Sequence, residues 1–272
     1  KRYDPANFFN TGSNVSNALS LSTGNDKSQS YISVATTNAT GIMPNNDYDR
    51  YNFSFRNTTN FLNNKFILDT SANYIIQNDK NMVSQGQYFN PLTSLYLFPR
   101  GEDFSDVAVY ERYDDLSGVN TQYWPYGDLG GVSSQNPYWI MNRMNRENDR
   151  RRYKLAASLQ YNIIEGLNVQ GRVSIDNTES KYTEKFHAGT VGNFAGPKGR
   201  YKEENRLDRQ VYADVLANFN KTFNEFNVTA NLGASIKDLR MELTSLHGDL
   251  NNVTNHFTIE NLTRSGYYKV NA

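Results

Sequence analysis

Along residues 51–77 apolar and polar side chains trade places with a period of two. Tyr51, Phe53, Phe55, Thr59 and Phe61 take the odd positions, and Asn52, Ser54, Arg56, Thr58 and Asn60 the even ones. This is the pattern of a β-strand with one greasy and one wet face. Asn63 and Asn64 supply turn chemistry, after which the alternation resumes through Phe66, Leu68, Thr70, Ala72, Tyr74 and Ile76. An antiparallel hairpin with a very short turn is predicted. Each arm exceeds the usual strand of about 5–6 residues.

Six further segments carry the same pattern. Residues 13–22 place Val15, Leu19 and Leu21 on one face, and residues 29–37 follow with Ile32 and Val34 in phase. Residues 153–163 and 167–175 flank Glu165-Gly166, and residues 211–219 and 226–236 flank a turn at 223–225. From Met241 onward the pattern fades, so eight strands and no terminal one are expected. Between strands four and five, residues 78–149 do not alternate. Loops beyond about 12–15 residues are functional or disordered, and Tyr88, Phe98, Phe104, Trp124, Tyr126 and Trp139 give this one too many rings for disorder. Asn90-Pro91 reads as an N-cap with proline at the first helical position, and Pro99 as the stop.

The connections alternate in length. Those at 23–27, 63–64, 164–166 and 223–225 are short and the three between them long, as in up-and-down outer-membrane barrels. Phe61, Phe66, Tyr161, Phe219 and Phe226 flank the short turns, Tyr51, Tyr74 and Tyr153 lie toward the long loops, and Ala72, Ala157, Ala213 and Ala230 sit between. Two aromatic girdles around an apolar band are expected of a transmembrane barrel. A soluble β-sandwich would alternate too. It leaves the one-sided loop lengths unexplained, along with strands that reach the roughly 9–11 residues needed to cross a bilayer.

Composition narrows the picture. The 272 residues carry 28 basic and 28 acidic side chains, so overall charge gives no reason to invoke nucleic acid. A mean hydropathy of -0.72 with 13% aromatics fits a chain that is apolar on alternate positions only. No run approaches the roughly 20 apolar residues of a transmembrane helix. Cysteine is absent, which excludes disulfides and thiolate metal sites. The opening Lys1-Arg2-Tyr3-Asp4-Pro5 has no apolar signal core behind it.

Several stretches resemble the SusC/RagA family of TonB-linked outer-membrane transporters: Phe8-Phe9-Asn10-Thr11-Gly12, Ser20-Leu21-Ser22-Thr23-Gly24-Asn25, Gly41-Ile42-Met43-Pro44-Asn45-Asn46 with Tyr48 and Arg50, and Gln135-Asn136-Pro137-Tyr138-Trp139. The resemblance implies a 22-stranded barrel filled by a plug, in the outer membrane of a Gram-negative bacterium. It also implies a SusD-like surface lipoprotein over the outer mouth, energy from a TonB complex, and oligosaccharide or peptide substrates. No plug, TonB-contacting segment or carboxy-terminal barrel strand is recognisable, so the chain reads as an internal barrel fragment. Its expected divisions are four strands in residues 1–77, a large outer loop in 78–149, four strands in 150–240 and the start of another loop in 241–272. The alternative is a cell-surface carbohydrate-binding or adhesive β-sandwich.

Candidate sites follow from residue chemistry. Trp124, Tyr126, Tyr138 and Trp139 could offer flat faces to a substrate or to the lid protein, or pack the loop against itself. Arg150, Arg151 and Arg152, at the outer end of strand five with Arg143 and Arg146 nearby, could clamp lipopolysaccharide phosphates, or pair with Glu147 and Asp149. Asn45, Asn46, Asp47 and Asp49 are close-spaced oxygen donors of the kind calcium takes, but Asx-rich turns are common and no EF-hand glutamate follows. His187, His247 and His256 are too scattered for a zinc motif. No nucleophile elbow or phosphate loop occurs. No enzymatic activity, metal or cofactor is expected.

Overall fold

The computed structural model describes residues 3–129, 132–263 and 266–271; Lys1 and Arg2, part of the amino-terminal stretch read above, lie outside them. Four strands come first: β1 (Ser13–Gly24), β2 (Ser28–Thr40), β3 (Asp47–Phe61) and β4 (Phe66–Lys80). An insertion follows, with helices α1 (Pro91–Leu97) and α2 (Ser105–Ala108), the hairpins β5 (Glu111–Asp114) with β6 (Val119–Gln122) and β7 (Asp128–Leu129) with β8 (Val132–Ser133), and helix α3 (Pro137–Arg143). The chain then makes β9 (Met144–Ile164), β10 (Leu167–Phe186), β11 (Arg200–Phe223), β12 (Phe226–Asp249) and β13 (Gly266–Asn271).

One nine-stranded sheet takes β1 to β4 and β9 to β13 in chain order, every neighbour antiparallel. It differs from the expectation in two ways. A ninth strand, β13, pairs with residues 242–247 of β12. It has two adjacent tyrosines, Tyr267 and Tyr268, in place of an alternating run. Strands β9 to β12 also run 20 to 24 residues, about twice the alternating length, because their far halves are polar on both faces and give no periodic signal. The tight turns use left-handed backbone where required: Leu62, Asn63 and Asn64 all have positive φ, as do Asn224 and Gly166.

Among the described residues, no core lies beneath the sheet's apolar face. Leu19 is 77% exposed, Leu232 79% and Ile236 71%, and Phe53, Phe55, Leu155, Leu159 and Val215 are exposed as well. The opposite face is a hydrogen-bonded polar surface. Arg56 pairs with Asp69 at 2.7 Å, Arg152 with Asp176 at 2.6 Å and Arg172 with Asp214 at 2.7 Å, while Ser54 meets Asn73 and Asn218 meets Asn168, each at 2.9 Å.

The buried core lies elsewhere, between the insertion and the amino-terminal segment. Leu95, Phe98, Phe104, Val107 and Trp139 of the insertion and Phe8, which precedes β1, join Met144 and Phe186 of the sheet. Met144 and Phe186 are directly opposed in register and share the polar face with Arg152 and Asp176. The insertion therefore leans over that face at the long-loop end. Asparagines hold its irregular backbone. The Asn81 amide donates to Asn45 O and Met141 O while its oxygen accepts from Arg146 N. Asn136 caps α3 through Tyr138 N at 2.9 Å and donates to Val107 O and Tyr123 O. Buried loop backbone needs such partners.

Candidate functional site

Two surfaces follow from this architecture: the exposed apolar face, and the mouth where the insertion meets the polar face.

The apolar face forms a slanted band. A hydrogen-bond row starting at Val15 on β1 passes through Asn38, Asp49, Asn78, Asp149, Lys181 and Asn205 to Thr244 on β12. The band does not follow that row. Its continuous run of apolar residues ends toward the long loops at Val15 on β1, Tyr51 on β3, Tyr153 on β9, Ile175 on β10, Val211 on β11 and Ile236 on β12; Tyr201, Leu207 and Leu246 are isolated apolar residues beyond it. By β12 the edge has slipped from Thr244 to Ile236. At strand geometry this is about 26 Å along for about 34 Å across, an obliquity of about 38°. Strands of a closed barrel tilt by about 35–45°. On β12 the band runs from Phe226 to Ile236, and projected through that tilt it stands about 25 Å tall, the height of the apolar belt of transmembrane barrels. At its short-turn edge Phe61, Phe66 and Tyr161 stack, with centroids 5.5 and 4.6 Å apart.

At the mouth, the aromatic residues singled out by sequence separate into two kinds. Trp139 is fully buried (0% exposed), and its Nε1 donates to Thr190 Oγ1 at 3.0 Å. It has no free face for a ligand and serves as the centre of the insertion core. Trp124, Tyr126 and Tyr138 are half-buried at the core's margin. Trp124 donates through Nε1 to Ser134 Oγ at 2.9 Å and packs edge-on to Tyr126, and Tyr138 packs on Phe8.

The three arginines separate as well. Arg150 and Arg152 project from the polar face, where Arg152 is held bidentately by Asp176 and Arg150 reaches Ser180 Oγ at 3.4 Å. Only Arg151 shares the apolar face. Alternation along a strand made this split inevitable, and residues 150–152 lie within β9, which continues outward to Met144. Of the Asx residues considered for calcium, Asn45 and Asn46 tie down the turn at 41–46, and Asp47 and Asp49 lie in β3. Asn46 donates to Lys80 O and Asn81 O, Asn45 to Met141 O, and Asp49 accepts from Asn38 at 2.6 Å.

A polar cluster on the sheet's polar face carries no apolar alternation, because it lies in the two-faced polar halves of β9, β10 and β11. Arg146 spans the rings of Phe89 and Phe186 and approaches Glu184 at 3.6 Å. Tyr182 donates to Glu184 at 2.7 Å, and burial pushes its phenol up. Lys202 pairs with Glu204 at 2.9 Å. The period-two set Tyr182, Glu184 and Lys202, Glu204 was the available signal. Nearby, Arg143 grips Glu111 at 2.6 and 2.8 Å, holding that carboxyl below its ordinary range. His187 Nδ1 faces Arg143 O at 2.8 Å, which makes Nδ1 the protonated nitrogen, and burial holds the imidazole below its ordinary value.

No family model matches the sequence, and neither does any curated protein. Solved structures do match. The chain superposes on the RagAB peptide importer in its "open-open" state with a TM-score of 0.71 at 14% identity, on the RagAB peptide transporter with 0.72 at 14%, and on the importer's "closed-closed" state with 0.73 at 14%. These alignments cover 99%, 99% and 100% of this chain and 30% of each matched chain. The chain thus spans about a third of the length of the proteins it matches. Its open, nine-stranded antiparallel sheet has the fold of one section of that importer's barrel wall.

Proposed function

We propose that this chain forms part of the wall and outer loops of a TonB-dependent importer in the outer membrane, carrying oligosaccharides or peptides. The observation that carries the reading is the slanted apolar band. Its obliquity and height match a tilted barrel wall in a bilayer, and nothing in the sheet covers it. A β-sandwich, the other all-β reading, would bury that face against a second sheet. On this reading the polar face lines the lumen, the insertion overhangs the outer mouth, and a SusD-like lipoprotein closes over it. Trp124, Tyr126 and Tyr138 offer the substrate or the lid partly open ring faces. The matched structures are of a peptide importer, which supports a peptide among the substrates. The role assigned is transport, with no catalytic step.

Residues 1–272 contain no cysteine, so single cysteines introduced here report without background once any cysteine elsewhere in the full-length protein is replaced. In the full-length protein in lipid nanodiscs, spin labels at Phe53, Leu155 and Leu232 should be accessible to oxygen and shielded from a water-soluble relaxant. Labels at Ser54 and Ser235 should show the reverse. Water accessibility at all five positions would rule the membrane wall out.

A further inference from the structure

Three arginines stand just outside the long-loop edge of the apolar band, two of them, Arg209 and Arg240, directly opposite each other across β11 and β12 and the third, Arg151, one row further out opposite Glu179. Arg151 is the next outward residue beyond Tyr153 on β9, Arg209 the next beyond Val211 on β11, and Arg240 the second beyond Ile236 on β12. Like charges directly opposite each other on paired strands are destabilising, so the Arg209 and Arg240 pair calls for an anion outside the sheet. All three side chains are exposed. Arg240 meets Asp238 at 3.1 Å with both groups open to solvent, a pair worth little. Arg151 and Arg209 make no ion pair among the described residues. Beside Arg151 lies a depression of about 460 Å³ bordered by Lys181, Leu207 and Thr244, with the carboxylates of Asp149, Glu179 and Glu242 also lining it. On β3 the same margin is acidic, with Asp47 and Asp49 beyond Tyr51, while Lys80 on β4 and Lys181 on β10 add cations further out.

We infer that Arg151, Arg209 and Arg240 bind phosphate groups of lipid headgroups in the leaflet at the long-loop side. The inference rests on the membrane-wall reading. Guanidinium forks match phosphate oxygens bidentately, and the arginines stand where headgroups meet the hydrocarbon edge. This replaces the clamp expected from Arg150, Arg151 and Arg152, since two of those face the polar side.

The test uses the full-length protein, delipidated in detergent, with diphosphorylated lipid A added and bound lipid read by native mass spectrometry. The unaltered protein should retain that lipid and not its dephosphorylated form. Each of Arg151→Gln, Arg209→Gln and Arg240→Gln should weaken retention about five-fold, at about 1 kcal/mol per surface cation, and Arg150→Gln should leave it unchanged. Equal retention of both lipid forms, or full retention by the triple variant, overturns the inference. So does displacement of the lipid by millimolar inorganic phosphate, which would assign the arginines to the free ion. Recovery of the full-length protein as a folded, detergent-free soluble species would instead overturn the membrane reading beneath it.

Discussion

At the scale of single residues, neighbours in sequence face different solvents. Phe55 lies midway along the band on β3 and is exposed on the apolar face, while Ser54 beside it accompanies Asn73 on the polar face. Phe55→Arg should destabilise the membrane-embedded protein by about 2–4 kcal/mol, and Ser54→Arg should cost far less; reversible unfolding from lipid vesicles measures both. Trp139→Ala removes the largest fully buried ring and the bond to Thr190, so a loss of about 3–5 kcal/mol from the insertion is expected, read by hydrogen exchange over residues 137–143. Acid should loosen the same region. The Glu111 and His187 values are both lowered on folding. The stability each contributes is therefore complete above its unfolded value, near 4.5 and 6.5, and is lost as pH falls through the lower folded one. Exchange at residues 111–114 and 187–190 should accelerate below about pH 6.5 and again below about pH 4.5, and His187→Phe should remove the first step.

At the scale of elements, legibility in the sequence depended on whether two solvents lie across the strand. Between Tyr51 and Ile76 one face meets an apolar surrounding and the other water, so alternation marks both arms and their pairing. Beyond the band, Lys181-Tyr182-Thr183-Glu184-Lys185 sets no apolar face against a polar one; only the spacing of Tyr182 and Glu184 hints at the strand, which is paired throughout. Helix starts were more local. Asn90-Pro91 identifies α1, with Asn90 Oδ1 accepting from Leu92 N at 3.0 Å, and the same logic at Asn136-Pro137 would have marked α3. Trp139's burial was not legible, since nothing in Pro137-Tyr138-Trp139 distinguishes the ring that packs inward from the one at the margin. The two caps should differ in weight. Asn90→Ala should cost about 1 kcal/mol, and Asn136→Ala about 2–3 kcal/mol, because it also strands the carbonyls of Val107 and Tyr123 in a buried setting. Denaturant titration of the two variants tests the order.

At the scale of the whole molecule, a sheet with one uncovered apolar face and edge strands β1 and β13 without outer neighbours among the described residues should not persist alone in water. Residues 1–272 expressed by themselves should sediment as aggregate without detergent, and a monodisperse folded monomer in buffer would contradict this. The strand order has a further consequence, for the way such a wall comes into being. Each strand lies beside the one before it in the chain, so the sheet can lengthen by one hairpin at a time, each step closing only a small loop. The exception is the join between β4 and β9, which must wait for residues 81–143. That segment cannot complete its own core early, because Met144 and Phe186 belong to strands that arrive after it. The β9–β10 hairpin is therefore the checkpoint of assembly: its arrival extends the wall and seats the overhanging insertion in one event.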